Sequence, residues 1–177
     1  MLAARAPERL FVGVDANAAA LSELSRRAFR ARTPNLVYVR AAAEDLPPEL
    51  GGIADRVTVI LPWGSLLAGV ACARPAVLHG IRRLCQPGAA LTMVLGVDPA
   101  RDQAEAARLG VPALDAAYLA GPLAAAYASH GFAVDSVRPL AREELARWPS
   151  TWARRLAHGR PRTVFEVRAR AGRSPAR

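Results

Sequence analysis

Arg56-Val57-Thr58-Val59-Ile60-Leu61 is the clearest strand in the chain, and Pro62 stops it. A second run, Leu10–Asp15, is apolar without alternation, the pattern of a parallel strand covered on both faces. Helical segments separate these strands from others. Residues 17–32 read as a helix with Leu21, Leu24, Ala28 and Phe29 on one face and Arg26, Arg27 and Arg30 on the other. Further strands are expected at 35–39, 90–95, 132–137 and 163–169. Helices are expected at 75–84, at 142–148, and at 115–130 with an interruption near Gly121-Pro122 and a cap at Gly131. Residues 96–112 have mixed character, and 149–161 read as irregular and Arg-rich. The order β-α-β-β-α-β-α-β-β predicts an α/β fold, with a mostly parallel sheet and an antiparallel strand near the end.

Composition narrows the class. A length of 177 residues corresponds to one domain with a core of its own. A hydrophobic fraction of 52% excludes a disordered chain. No apolar stretch approaches the ~20 residues of a membrane span. The first residues, Met1-Leu2-Ala3-Ala4-Arg5-Ala6-Pro7, lack the pattern of a secretory signal. Cys72 and Cys85 make neither a disulfide framework nor a zinc site. A cytoplasmic protein without a membrane partner is therefore expected. His79, His130 and His158 are scattered without metal-ligand spacing, so no metal is assigned.

The charge is uneven. All 24 basic residues are Arg, against 15 acids, a formal net charge of +9. Residues 1–40 carry seven Arg and three acids, 41–141 seven Arg and nine acids, and 142–177 ten Arg and three acids. A near-neutral middle between basic ends suits a polyanion-binding surface; solvated tails are the bland alternative.

Four segments stand out. Asp15 ends the first strand, where open α/β sheets bind ligands and where a carboxylate can hold ribose hydroxyls; the alternative is a helix cap. Ala43-Glu44-Asp45 takes the analogous place after the next strand and reads, alone, as a polar loop. In Leu61-Pro62-Trp63-Gly64-Ser65, a Trp sits in a tight turn at a strand's carboxyl end, an odd choice if packing were its only purpose. Residues 148–160 set Trp148 and Trp152 among Arg154, Arg155 and Arg160 in a polar loop, a pattern that suits a base stacked on a ring with its phosphates on guanidinium groups. The alternative for this last segment is a helix on the sheet with Trp152 and Leu156 inward.

The blocks Pro62-Trp63-Gly64-Ser65-Leu66-Leu67 and Thr151-Trp152-Ala153-Arg154-Arg155-Leu156, with Arg160, resemble the Kam-type aminoglycoside-resistance 16S rRNA methyltransferases, which modify N1 of the adenine at decoding-site position 1408. Phe11–Asn17, Pro34-Asn35-Leu36 and Ala43–Pro48 follow in the same order, so the resemblance covers nearly the whole chain. It implies a class I S-adenosylmethionine-dependent methyltransferase, Rossmann-like, acting on 16S rRNA in the small (30S) subunit as a monomer, with S-adenosylmethionine as its cofactor. It also implies roles. Asp15 holds the cofactor's ribose, Ala43 and Glu44 its adenine, and Leu61 and Ser65 border its methionine and methyl end. Trp63 and Trp152 sandwich the flipped target adenine, with Ser65 beside the reacting group. Arg154, Arg155 and Arg160 bind RNA, within an RNA-facing segment at 142–177.

One departure stands beside these agreements. The family has a strand and a glycine-rich loop just before the sequence corresponding to Leu10, and residues 1–6 read instead like the tail of the helix that follows such a loop. The expectation is a single methyltransferase domain over 1–177 that is N-terminally truncated, lacking its first strand. A non-catalytic RNA-binding remnant and a small-molecule methyltransferase are the competing functions. Cofactor titration tests the first, and salt-dependent RNA affinity the second.

Overall fold

The computed structural model describes residues 2–98, 101–148, 150–158 and 162–172, without the side chains of 151, 152 and 157. They form two compact units, Met1–Pro47 and Pro48–Arg177.

In the first unit a short 3-10 turn, Ala3–Arg5, precedes β1 (Phe11–Asp15), α1 (Ala18–Arg30) and β2 (Leu36–Arg40). The strands pair in parallel from Phe11↔Leu36 to Asp15↔Arg40. Gly13 faces Tyr38, whose ring would lie 2.6 Å from a Cβ at that position, so any larger residue would displace the ring. Asn17 caps α1, its side chain accepting the N–H groups of Ala19 and Ala20 at 3.0 and 3.1 Å. The Asn35 amide donates to the carbonyls of Ala3, Ala6 and Arg9 within 3.0 Å, fastening residues 3–9 to the start of β2.

Two expectations fail here. β1 is parallel but not covered on both faces, and Val14 and Val37 are exposed. The expected apolar face of α1 narrows to Leu21 and Ala28, leaving Leu24 exposed and Phe29 at 85% exposure. A two-stranded sheet offers too little surface to cover a wide stripe.

The second unit holds a 3-10 turn (Pro48–Leu50), β3 (Ala54–Ile60), α2 (Gly64–Ala71), α3 (Pro75–Leu84), β4 (Cys85–Leu95) and α4 (Gln103–Leu109). Next comes a bent helix made of α5 (Ala116–Tyr118), a π turn (Leu119–Leu123) and α6 (Ala124–Ser129). β5 (Phe132–Pro139), α7 (Arg142–Ala146), α8 (Thr151–His158) and β6 (Phe165–Ala171) complete it. The sheet order is β3-β4-β6-β5, with β3 and β4 parallel and β6 antiparallel to both its neighbours. β6 is thus the one reversed strand of this sheet, as expected for the chain's end. Pro122 removes a backbone donor within the helix, and the π turn forms there.

The core lies on the sheet face lined by Leu91, Met93, Leu95, Val167 and Ala169, under α2, α3 and the bent helix. α2 was not expected: it is apolar around its circumference, so it shows no helical periodicity, and only the turn at its start is legible. Its last carbonyls are satisfied from outside, Ala71 by the Tyr118 hydroxyl at 2.7 Å and Val70 by the Tyr127 hydroxyl at 2.8 Å. β4 begins at Cys85, five residues before the expected strand, with an irregular register beside Ala54 and Arg56. Residues 151–158 are helical, the alternative the sequence left open to the loop, as α8 carries a basic, polar face and an apolar one. Among the described residues, β1 pairs with β2 alone and β3 with β4 alone.

Candidate functional site

In the first unit the sequence-predicted residues gather at the carboxyl ends of the two parallel strands. Asp15 is the last residue of β1, exposed, and its carboxylate accepts the Asn17 N–H at 2.8 Å. Its carbonyl accepts the Ala41 N–H at 3.2 Å, which ties the two strand ends together. Ala43, half-buried, and Glu44, exposed, occupy the turn that follows. The helix-cap alternative for Asp15 is answered: Asn17 performs that task with its own side chain. An exposed carboxylate at one strand tip and a small apolar residue with an acid at the next suit a nucleoside, a vicinal diol and a purine edge respectively.

The basic face of α1 lies in this unit. Glu23 sits among Arg26, Arg27 and Arg30 at 3.1, 2.9 and 4.0 Å. The hydrogen bond from Arg27 holds the Glu23 carboxyl below the usual glutamate range. One carboxylate balances one of three guanidinium groups, so the face stays net positive.

In the second unit the chain leaves β3 through Leu61, whose φ of 47° is rare for a residue with a side chain. Such strain persists where surrounding structure imposes it, often at functional sites. The Leu61 N–H donates to the Val94 carbonyl at 2.8 Å, so the bend is anchored to β4. Pro62 is buried, Trp63 stands before α2 with 51% exposure, and Gly64 takes a φ of 59° that its missing Cβ permits. Ser65, in the first turn of α2, is exposed. A large ring kept in solvent beside a buried proline and a strained leucine is not serving the core.

α8 meets this bend through an apolar cluster. Val94, Leu145, Ala153 and Val164 form it, with Ile60, Leu61, Trp148 and Leu156 packed against it. Ala153 is fully buried, so the backbone of Trp152 is held beside it, while Arg154 and Arg155 are exposed. The Trp152 side chain and Arg160 lie outside the described residues. The structure thus brings the Trp63 bend and the Trp152 helix together in the second unit, and Asp15, Ala43 and Glu44 together in the first.

Sequence reasoning missed Arg162. Its guanidinium lies 3.7 Å from Asp98 and 3.4 Å from Asp102, all three largely buried, and joins the segment before β6 to the one after β4. No local pattern announces a pair sixty residues apart. The cysteines are unsuited to nucleophilic work, as burial pushes both the Cys72 and the Cys85 thiol up.

Comparison with known proteins agrees over most of the chain. A family model described as NpmA, 16S rRNA (adenine(1408)-N(1))-methyltransferase, matches residues 1–171. The 16S rRNA (adenine(1408)-N(1))-methyltransferase of Streptoalloteichus tenebrarius is 36% identical over 171 residues, covering 94% of this chain and 77% of the relative. The crystal structure of the aminoglycoside resistance methyltransferase NpmB1 is 38% identical, with a TM-score of 0.79 over 96% of this chain and 79% of that one. A variant of the 16S rRNA (adenine(1408)-N(1))-methyltransferase from Catenulisporales acidiphilia, solved with cosubstrate SAM, is 35% identical, with a TM-score of 0.83 over 99% and 81%.

Proposed function

The chain belongs to the 16S rRNA (adenine(1408)-N(1))-methyltransferases, and from that premise we propose that Trp63 and Trp152 hold the target adenine while the two strand-end clusters hold the methyl donor. It is an enzyme that transfers a methyl group from S-adenosylmethionine to 16S rRNA, of the aminoglycoside-resistance type. The observation that carries the residue assignment is Trp63: half-exposed, at the carboxyl end of a parallel strand, on a strained bend.

S-adenosylmethionine, when bound, supplies an electrophilic methyl group on sulfur. The residues present fit it. In the first unit the exposed Asp15 carboxylate would hold the ribose hydroxyls, and Ala43 and Glu44 would hold the adenine; in the second unit Leu61 and Ser65 would serve the methionine end, as the family resemblance implies. Adenine N1 carries a lone pair at neutral pH, so no side chain has to remove a proton to create the nucleophile. The work left to the protein is orientation, worth up to ~7–11 kcal/mol in well-aligned systems. Flipping the base out of its helix and stacking it on Trp63 and Trp152 supplies that orientation. Arg154, Arg155 and Arg160 hold the RNA phosphates. The substrate is the assembled 30S subunit, met by a monomer in the cytoplasm.

The experiment is methylation of 30S subunits by the purified chain with radiolabelled S-adenosylmethionine, with primer extension locating the modified base. A stop at adenine 1408 that disappears in Trp63→Ala supports the assignment. Full methylation by Trp63→Ala overturns it.

A further inference from the structure

Arg138 closes β5 opposite Glu166 of β6, its partner in the strand register. Glu166 is a carboxylate with 3% of its side chain exposed, facing the sheet side that α7 and α8 cover. Arg138 Nε donates to Glu166 Oε2 at 2.7 Å, and its Nη1 donates to Glu144 Oε1, in α7, at 2.8 Å. Arg168 takes the other Glu166 oxygen at 2.9 Å, and the second Glu144 oxygen accepts the Ala141 N–H at 3.1 Å. One planar guanidinium therefore joins the sheet to the first turn of α7, through two bonds whose relative direction it fixes.

Leu145, next to Glu144, is a buried member of the apolar cluster that also holds Ala153 of α8. The link between the helices is short: Trp148 N–H donates to Leu145 O, and Arg154 N–H to Ser150 O. Where α7 is set, α8 follows. A buried carboxylate is a poor device for stability, since an apolar pair of similar volume commonly folds as well. It is a good device for fixing one arrangement.

We propose that Arg138 is a positioning residue: by bridging Glu166 and Glu144 it sets the angle of α7, and through Leu145 the place of α8, whose Trp152, Arg154 and Arg155 meet the RNA. The inference rests on the RNA-facing reading of α8 given above.

Two variants avoid leaving a buried charge without a partner. Glu144→Gln cuts the helix end of the bridge while an oxygen remains for the Ala141 N–H. The double substitution Arg138→Leu, Glu166→Leu replaces the sheet end by an apolar pair. Each is compared with the unsubstituted chain by thermal melting, S-adenosylmethionine titration, amide hydrogen exchange of 142–158, and kcat and KM on 30S subunits. Both variants should melt and bind cofactor like the parent, exchange the α8 amides about tenfold faster, and lose about fivefold or more in kcat/KM on 30S subunits. Arg138→Lys, with one compact ammonium, should fall between. Unchanged α8 exchange and kinetics in both variants overturn the proposal, and so does a parallel loss of melting temperature and cofactor binding, which marks a purely structural network. If the parent neither binds nor methylates RNA, the functional reading fails while the exchange data still judge the bridge.

Discussion

The Asp15 carboxylate accepts the Asn17 N–H at 2.8 Å, while Asn17 itself caps the helix that follows. The division of labour frees Asp15 from the helix and leaves it exposed at a strand tip. Asp15→Asn keeps an acceptor for that N–H and removes the charge. Cofactor affinity should fall about tenfold or more, since charge-assisted hydrogen bonds contribute roughly 1.5–3 kcal/mol. RNA affinity and melting temperature should hold. Calorimetric titration with S-adenosylmethionine decides it, and unchanged affinity returns Asp15 to a turn-forming role.

Trp63→Ala should cost little stability, because half of the residue's surface is already in solvent. It should remove ~1–3 kcal/mol of base stacking and most of the methylation, and Trp152→Ala should do the same. Melting curves and single-turnover methylation separate the two effects. Equal methylation by both single variants and the parent rules out the sandwich.

Tyr127 is buried, its hydroxyl bonded to the Val70 carbonyl at the end of α2, and its ring 6.0 Å from Phe132. Burial raises its ionisation far above the ordinary tyrosine range, so it stays a donor across physiological pH. Tyr127→Phe leaves that carbonyl without its donor and should destabilise the second unit by ~1–3 kcal/mol. Urea unfolding measures the loss; an unchanged midpoint means another donor takes the place.

The legible parts of the site were those whose signal is local. Pro62-Trp63-Gly64 announces a bend because proline and glycine restrict the backbone whatever surrounds them, and the bend is there, with Trp63 outside. Gly121-Pro122 announces a break in a helix for the same reason, and a π turn forms. The 151–158 segment reads as a loop because its charges dominate the sequence, with a helix as the alternative; the buried contact that seats the helix rests on the small Ala153. The reach of the α1 apolar face is not legible in the sequence, as Phe29 shows, because burial depends on how much sheet lies beneath a helix.

The sequence alone determined the alternation of strands and helices, the strand-end placement of Asp15 and Trp63, and the family, because turn chemistry, short-range periodicity and motif order are properties of neighbouring residues. Only the tertiary structure decided that Leu61 would be held in a strained conformation by β4, that Ala153 would seat α8 beside the Trp63 bend, and that Arg138 would join Glu166 to Glu144. Each of these depends on partners far apart in the chain. Hydrogen bonds and apolar contacts act through distance in space, which the order of residues does not contain until the chain has folded.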